Sequence, residues 1–338
     1  MPFLSICIPA FNKPEATAAL LKSIFSQNAK GVEVVICEDN SPERKEIRKM
    51  VEEFKLKHRN QITYIENKEN LGYDKNLRKT IKNANGDYVL LMGNDDLVAP
   101  NGIDTIKSKI QKYNPAVIIR SYESYYKEFD NYFQIHRYVN DDLLCAFSPK
   151  EMAWLFFRSV LVSGLVIKRE LAQTEATDLV DGTLYYQNYI IGRIFYKHQI
   201  LYVPDVLVYN RLEDAGYFGS STNEQDGKWV PGIRTTESSV YQMVKFFECA
   251  EKLETSLNLS FLNFLKKIAS VYAYPLLAYH ADKTNREFLN YMSQLRKIGY
   301  GGLFFNLYGL SIIILGKSNS DRIIQTLKRL FGHTVRLT

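Results

Sequence analysis

A chain of 338 residues, 46% hydrophobic and 24% charged, has the ordinary composition of a soluble protein and is long enough for one large domain or two small ones around a real core. Its net charge of +6 is placed unevenly: from Lys317 onward five basic residues (Lys317, Arg322, Lys328, Arg329, Arg336) stand against the single acid Asp321. Basicity confined to a tail is not a groove that tracks a polyanion, so no nucleic-acid partner is expected.

The run FLSICIPA (residues 3–10) predicts a short buried strand stopped by Pro9. With no basic residues before it and a proline this early, the start is not expected to be a signal peptide. Pro14 opens a helical pattern that places Leu20, Leu21, Ile24 and Phe25 on one face. VEVVICEDN (32–40) is a second buried strand ending in acids, followed by a helix from Pro42 to about His58. ITYIEN (62–67) is a third strand, NLGYDKNLRKTIKNANG (70–86) reads as turn, helix and glycine stop, and DYVLLMG (87–93) is a fourth strand. Strands alternating with helices argue for an α/β fold with a mainly parallel sheet, helices on both faces and right-handed crossovers. Cys7 and Cys37 lie inside the apolar strands and read as small buried hydrophobes; with Cys145 and Cys249 they form no metal spacing, which fits a reducing compartment.

In such sheets ligands bind beyond the carboxyl ends of the strands. That edge collects Pro9, Phe11 and Asn12 after the first strand, Glu38, Asp39, Asn40 and Ser41 after the second, Asn67, Asn70 and Gly72 after the third, and Asn94, Asp95 and Asp96 after the fourth. Each acidic cluster taken alone is compatible with a turn or a helix cap. Together they converge on one crevice, where crowded carboxylates need a cation or donors between them. A divalent ion with a phosphate-bearing ligand would satisfy them, since Mg²⁺ or Mn²⁺ is held by one or two carboxylates plus phosphates. Gly-x-Gly-x-x-Gly does not follow the first strand and Gly-x-x-x-x-Gly-Lys-Ser/Thr does not occur, which disfavours a dehydrogenase and a P-loop NTPase.

The order Pro9-Ala10-Phe11-Asn12, Glu38-Asp39-Asn40-Ser41, Asn70-Leu71-Gly72 and Gly86-Asp87-Tyr88 leading to Asn94-Asp95-Asp96 resembles a family 2 glycosyltransferase of the GT-A (Rossmann-like) fold, over roughly residues 1 to 212. The resemblance implies a nucleoside diphosphate-sugar donor and Mn²⁺ or Mg²⁺. It implies that Pro9, Phe11 and Asp39 line base and ribose, with Asp39 accepting from the base. Asp95 then contacts ribose or sugar and shares the metal with Asp96. Asn12, Glu38, Asn70 and Asn94 complete the nucleotide-sugar set, and Ser163-Gly164 falls where the family has a small residue near donor sugar and acceptor. A UDP-sugar is favoured, and a thymine nucleotide offers Asp39 a similar edge. The resemblance further implies a glycan acceptor, lipid-linked, in O-antigen or capsule-type synthesis at the cytoplasmic face of the membrane.

An inverting transferase also needs a base for the acceptor hydroxyl. The family places an Asp six residues before an Arg that Arg193 matches; here Gln187 stands there, and Gln cannot serve. Asp181 is favoured in its place, with Asp178, a retaining mechanism or impaired transfer as alternatives. A non-catalytic nucleotide-sugar or glycan binder in an assembly complex is the reading that Gln187 motivates. A metal-dependent nucleotidyltransferase is disfavoured, because no basic glycine-rich loop follows the first strand. LVYNRLEDAGYFGS (207–220) would form a flap, Arg211 and His198 are possible phosphate partners or surface residues, and the aromatic stretch 121–138 suits either sugar stacking or packing.

Three regions are expected: a nucleotide-binding half (1–115), an acceptor half (116–230) and a helical C-terminal region (231–338). No apolar run reaches the roughly 18 residues of a membrane span. The run 303–315 and the amphipathic IIQTLKRLF resemble an interfacial anchor, or else a helix packed on its own domain or a partner subunit.

Overall fold

A computed structural model describes residues 2–58, 60–126, 132–212 and 235–331. The first half follows the sequence pattern closely: β1 (Leu4–Ala10), α1 (Pro14–Phe25), β2 (Val32–Glu38), α2 (Arg44–His58), β3 (Ile62–Glu66), α3 (Tyr73–Lys82) and β4 (Tyr88–Leu91). β1 pairs in parallel with β2 on one side and β4 on the other, and β2 pairs in parallel with β3. Alternate residues of β1 serve two cores. Leu4, Ile6 and Ile8 pack with Leu20, Leu21 and Ile24 of α1 and with Ile47 and Val51 of α2. Cys7 faces the other layer, with Leu77 and Ile81 of α3. All four cysteines are buried thiols.

The second half is less regular. A two-residue strand β5 (Leu97–Val98) and α4 (Gly102–Tyr113) lead into β6 (Val117–Tyr126), β7 (Tyr132–His136), β8 (Leu143–Cys145), α5 (Pro149–Arg158), β9 (Leu165–Lys168), α6 (Arg169–Thr174), α7 (Tyr186–Lys197) and β10 (Ile200–Leu212). β9 inserts antiparallel between β4 and β6, so one sheet in the order β3-β2-β1-β4-β9-β6-β10-β5 runs through both expected halves. Ser148 caps α5, its hydroxyl accepting from the Glu151 N–H at 3.1 Å, with Pro149 at the first helical position.

The C-terminal region is helical as expected: α8 (Thr236–Leu257), α9 (Leu262–Val271), α10 (Tyr274–Ala278), α11 (Asn285–Lys297) and α12 (Gly302–Phe331). α8 and α11 open with capping boxes, Thr235 with Ser238 and Thr284 with Glu287. These helices share one core with the sheet: Phe246, Leu253, Phe261, Leu277 and Phe288 join Ile190 and Phe195 of α7 and Phe156 of α5. The expected border at residues 230 and 231 and the distal flap, 213–220, lie outside the described residues, as do 127–131 of the aromatic stretch and Arg336 of the tail; the side chains of Lys328 and Arg329 are also outside them. No described helix is long and apolar enough to cross a membrane.

Candidate active site

The crevice opens where β1 and β4 part. Their pairing ends at Cys7 and Leu91, with one further bond from Met92 N–H to the Cys7 carbonyl at 3.0 Å. Residues of a strand that point the same way recur every second position, so Pro9 faces the gap left by the departing β4, where a missing N–H loses no ladder bond. Asn12 and Lys13 then turn through left-handed conformations, φ 53° and 62°, into α1. Asn94 bridges the gap: its amide donates to the Asn12 carbonyl at 2.8 Å and to the Thr17 hydroxyl at 3.1 Å. Asn94 thus holds the walls of the crevice together.

Asp95 and Asp96 differ sharply. The Asp95 carboxylate is partly exposed and pairs with the Lys13 ammonium at 2.7 Å. Asp96 is 2% exposed, and three protein donors fix it: the Ser163 hydroxyl on Oδ2, and on Oδ1 the Asn210 amide at 3.0 Å and the Arg211 N–H at 2.9 Å. Burial, then the neighbouring Asp95 charge, pushes the Asp96 carboxyl up to about 7, against the pull of those donors. The Ser163 hydroxyl also accepts from Gly93 N–H at 2.9 Å. Gly164 follows with φ +85°, and a Cβ there would lie 2.8 Å from Cγ of the buried Arg120. Only glycine fits both that conformation and that contact.

The second acidic cluster is wholly internal. Glu38 is fully buried, accepting from the N–H groups of Asn40 at 3.1 Å and Ser41 at 2.7 Å and from Arg44 at 2.5 Å. Its carboxylate organises the start of α2, which begins at Arg44 rather than at Pro42. Asp39 is also fully buried. It accepts from Asn67 at 2.6 Å, Leu71 N–H at 2.8 Å and Gly72 N–H at 3.0 Å. Burial raises its pKa, and these donors pull the other way. The Asn70 side-chain oxygen also accepts from Gly72 N–H, at 2.8 Å. In this structure Asp39 and Asn70 fix the 70–72 turn, and the Asp39 carboxylate serves its own chain. Pro9 and Phe11 are half-buried between the two clusters, at the end of β1.

The residues considered for proton transfer are tied elsewhere. Gln187 accepts from the Tyr73 hydroxyl at 3.0 Å and donates to the Val160 carbonyl at 3.1 Å, and it is 1% exposed. Asp181, expected as the base, gives both oxygens to Arg78 at 2.5 and 2.9 Å. The guanidinium takes one lone pair on each oxygen and fixes the carboxylate against α3. Arg193 pairs with Glu175 at 2.7 Å, and Arg211 contributes its backbone N–H to Asp96 while its side chain donates to the Tyr125 hydroxyl at 3.2 Å. His198 lines a separate cavity of about 510 Å³ with Asn114, Lys168 and Lys197, at the opposite edge of the sheet where β6 and β10 begin.

Four contributors escaped the sequence reading. Lys13 reaches Asp95 from the turn that precedes α1, and Asn210 of β10 and Arg120 of β6 come beside Asp96. Asp74, pushed up to about 6 chiefly by burial, accepts from Leu184 N–H at 2.8 Å and Tyr186 N–H at 3.0 Å and so caps the entry to α7. A short-range signal existed only for Asp74, as an acid in the first turn of α3.

This architecture is the GT-A fold. The TarS protein of S. aureus (residues 1–349), solved with UDP-GlcNAc, superposes with a TM-score of 0.58 at 13% identity, covering 97% of this chain and 92% of that one. The mannosyltransferase PcManGT of Pyrobaculum calidifontis, solved with GDP-Man and Mn²⁺, gives 0.55 at 14% identity, covering 98% and 87%. In sequence, residues 5–165 match the model of glycosyl transferase family 2. It is 30% identical over 105 residues to the abequosyltransferase RfbV of Salmonella typhimurium, 31% of this chain and 32% of that protein. The chain therefore spans about a third of that relative. It is 24% identical over 258 residues to an uncharacterized glycosyltransferase of Rickettsia typhi, covering 72% and 76%.

Proposed function

We propose that the chain transfers a sugar from a nucleoside diphosphate donor, with a UDP-sugar favoured, to a glycan acceptor. The acceptor is lipid-linked, and the product belongs to O-antigen or capsule-type cell-surface polysaccharide built at the inner face of the cytoplasmic membrane. One observation carries the reading: a buried carboxylate, Asp96, held in one orientation by three donors beside a second carboxylate at the carboxyl edge of a parallel sheet. The family of residues 5–165 and the printed ligands of the two structural neighbours support it.

The donor set fits Mn²⁺ or Mg²⁺. Asp96 and Asp95 offer hard oxygens, and among the described residues no three His, Cys, Asp or Glu side chains cluster as a full protein cage, so phosphate oxygens would complete the shell. When bound, such an ion supplies Lewis-acid stabilisation to the departing diphosphate. Asp96 would hold it, with Asp95 as second ligand once Lys13 turns from that carboxylate toward phosphate. Pro9, Phe11 and Asn12 flank base and ribose, and Asp39 shapes the base pocket from beneath through the 70–72 turn. Ser163 and Gly164 leave room for the donor sugar. Inversion is the family's default stereochemistry.

The test is a thermal-shift panel with Mn²⁺ and UDP, dTDP, CDP or GDP on wild type and Asp96→Ala. One nucleotide should stabilise the wild type by about 2.7 kcal/mol at about 100 times its dissociation constant, and not the variant. No shift with any nucleotide sinks the donor site. The second reading, a non-catalytic binder in an assembly complex, is favoured by the engaged state of Gln187 and Asp181. It predicts nucleotide binding without release of nucleoside diphosphate in the presence of acceptor.

A further inference from the structure

α12 keeps one face outside the fold. Leu303 (70% exposed), Leu307 (48%), Leu310 (52%) and Ile314 (67%) follow a four-three-four spacing, a single stripe along the helix, with Phe304 and Leu315 at its margins. The opposite face is firmly seated. Phe305 and Ile312 are buried, the Tyr308 hydroxyl donates to the Val271 carbonyl at 3.0 Å, and a Cβ on Gly309 would stand 2.2 Å from Cε of Met292. The stripe is therefore the outer side of a docked helix, not a loose segment awaiting its own core. At Gly316, φ 73°, the helix breaks, and the exposed cations Lys317 and Arg322 follow. The segment 302–331 contains one acid, Asp321, and it is turned inward to the Tyr274 hydroxyl at 2.7 Å.

Charge decides between occupants. In a symmetric pairing of this face with a second copy, each Lys317 and Arg322 would meet the same basic helix, whose single acid is already bonded inward. Anionic headgroups match them directly, while the stripe enters the boundary between headgroups and acyl chains. We propose that the outer face of α12 lies in the surface of an anionic lipid bilayer, with Leu303, Leu307, Leu310 and Ile314 inserted and Lys317 and Arg322 against lipid phosphate. This deepens, and for its biological setting rests on, the reading of a transferase working on lipid-linked glycan.

The experiment is flotation of the full chain with vesicles of phosphatidylcholine alone or with about 30% phosphatidylglycerol. The wild type should float with the anionic vesicles and release at high salt. The triple variant Leu307→Glu, Leu310→Glu, Ile314→Glu should lose about tenfold or more of that partition, and Lys317→Glu, Arg322→Glu should lose severalfold together with the salt sensitivity. Unchanged melting and UDP–Mn²⁺ stabilisation would show that the variants are folded. No flotation of the wild type, or flotation the triple variant leaves intact, overturns the proposal. So does a concentration-dependent dimer that the triple variant disperses, which would give the stripe to a second copy. Flotation without any nucleotide stabilisation would instead fail the transferase reading and leave this one standing.

Discussion

The Asn210 side chain donates to the Asp96 carboxylate over 3.0 Å, although 114 residues separate the two in the chain. Together with the adjacent Arg211 N–H it makes the end of β10 the third wall of the acidic site. Replacing Asn210 by Ala removes one donor from a buried carboxylate. The expected cost is about 1–3 kcal/mol in urea unfolding at pH 7, with weakened Mn²⁺-dependent nucleotide binding by calorimetry. A variant as stable and as tight-binding as wild type would show that Ser163 and Arg211 suffice.

Lys13 stands on Asp95 at 2.7 Å, with 15% and 30% of the two side chains exposed. A pair this accessible is worth about 1 kcal/mol or less, so Lys13→Met should barely move the melting point. It should raise Mn²⁺ affinity measured without nucleotide, because the carboxylate loses its competing cation. Equal or weaker Mn²⁺ binding in calorimetry would place Lys13 outside any exchange at this site.

Asp181 and Arg78 form a bidentate pair, and Arg78 also donates to the Thr177 carbonyl at 2.5 Å. The pair braces the 177–186 segment against α3. Asp181→Asn should cost about 1–3 kcal/mol of stability and leave the transfer rate within about tenfold of wild type. A loss of about a hundredfold or more in a stably folded variant would return the carboxylate to the role of general base.

Asp74 supplies a pH signature. Its folded pKa, about 6, lies above the ordinary 3.8, so between those values the folded state binds more protons than the unfolded one. Stability contributed at this group is therefore greatest below about pH 4 and is lost as pH rises to about 6, by about 1.4 kcal/mol per unit at most. The physical cause is burial, which the N–H groups of Leu184 and Tyr186 offset only in part. Asp74→Asn should flatten the stability profile across this window in urea unfolding at successive pH values. An unchanged slope would assign the titration to another carboxyl.

The legible part of the fold was the part governed by neighbours in sequence. The apolar runs ending at Ala10, Glu38 and Glu66 are each followed by helical periodicity, and together with the run ending at Leu91 they form strands of one sheet. Strands of two or three residues, β5 and β8, carry too few side chains for any period to show. The antiparallel insertion of β9 was also hidden, because LVIK has the same buried pattern whichever way it runs.

For the site, the sequence by itself determined which chemistry gathers at the carboxyl edge: amides and carboxylates at the ends of β1 to β4, without a glycine cradle for phosphate. The tertiary structure decided how each carboxylate is used. Glu38 and Asp39 face inward and hold turns, Asp181 is clasped by Arg78, and Asp96 is fixed by donors from the turn before β9 and from β10 beside a second acid. The reason is physical. A side chain's type limits the bonds it can make, and local periodicity decides the face it occupies. The donor that reaches it comes from whichever strand the sheet lays alongside, and that order is set by packing over more than a hundred residues.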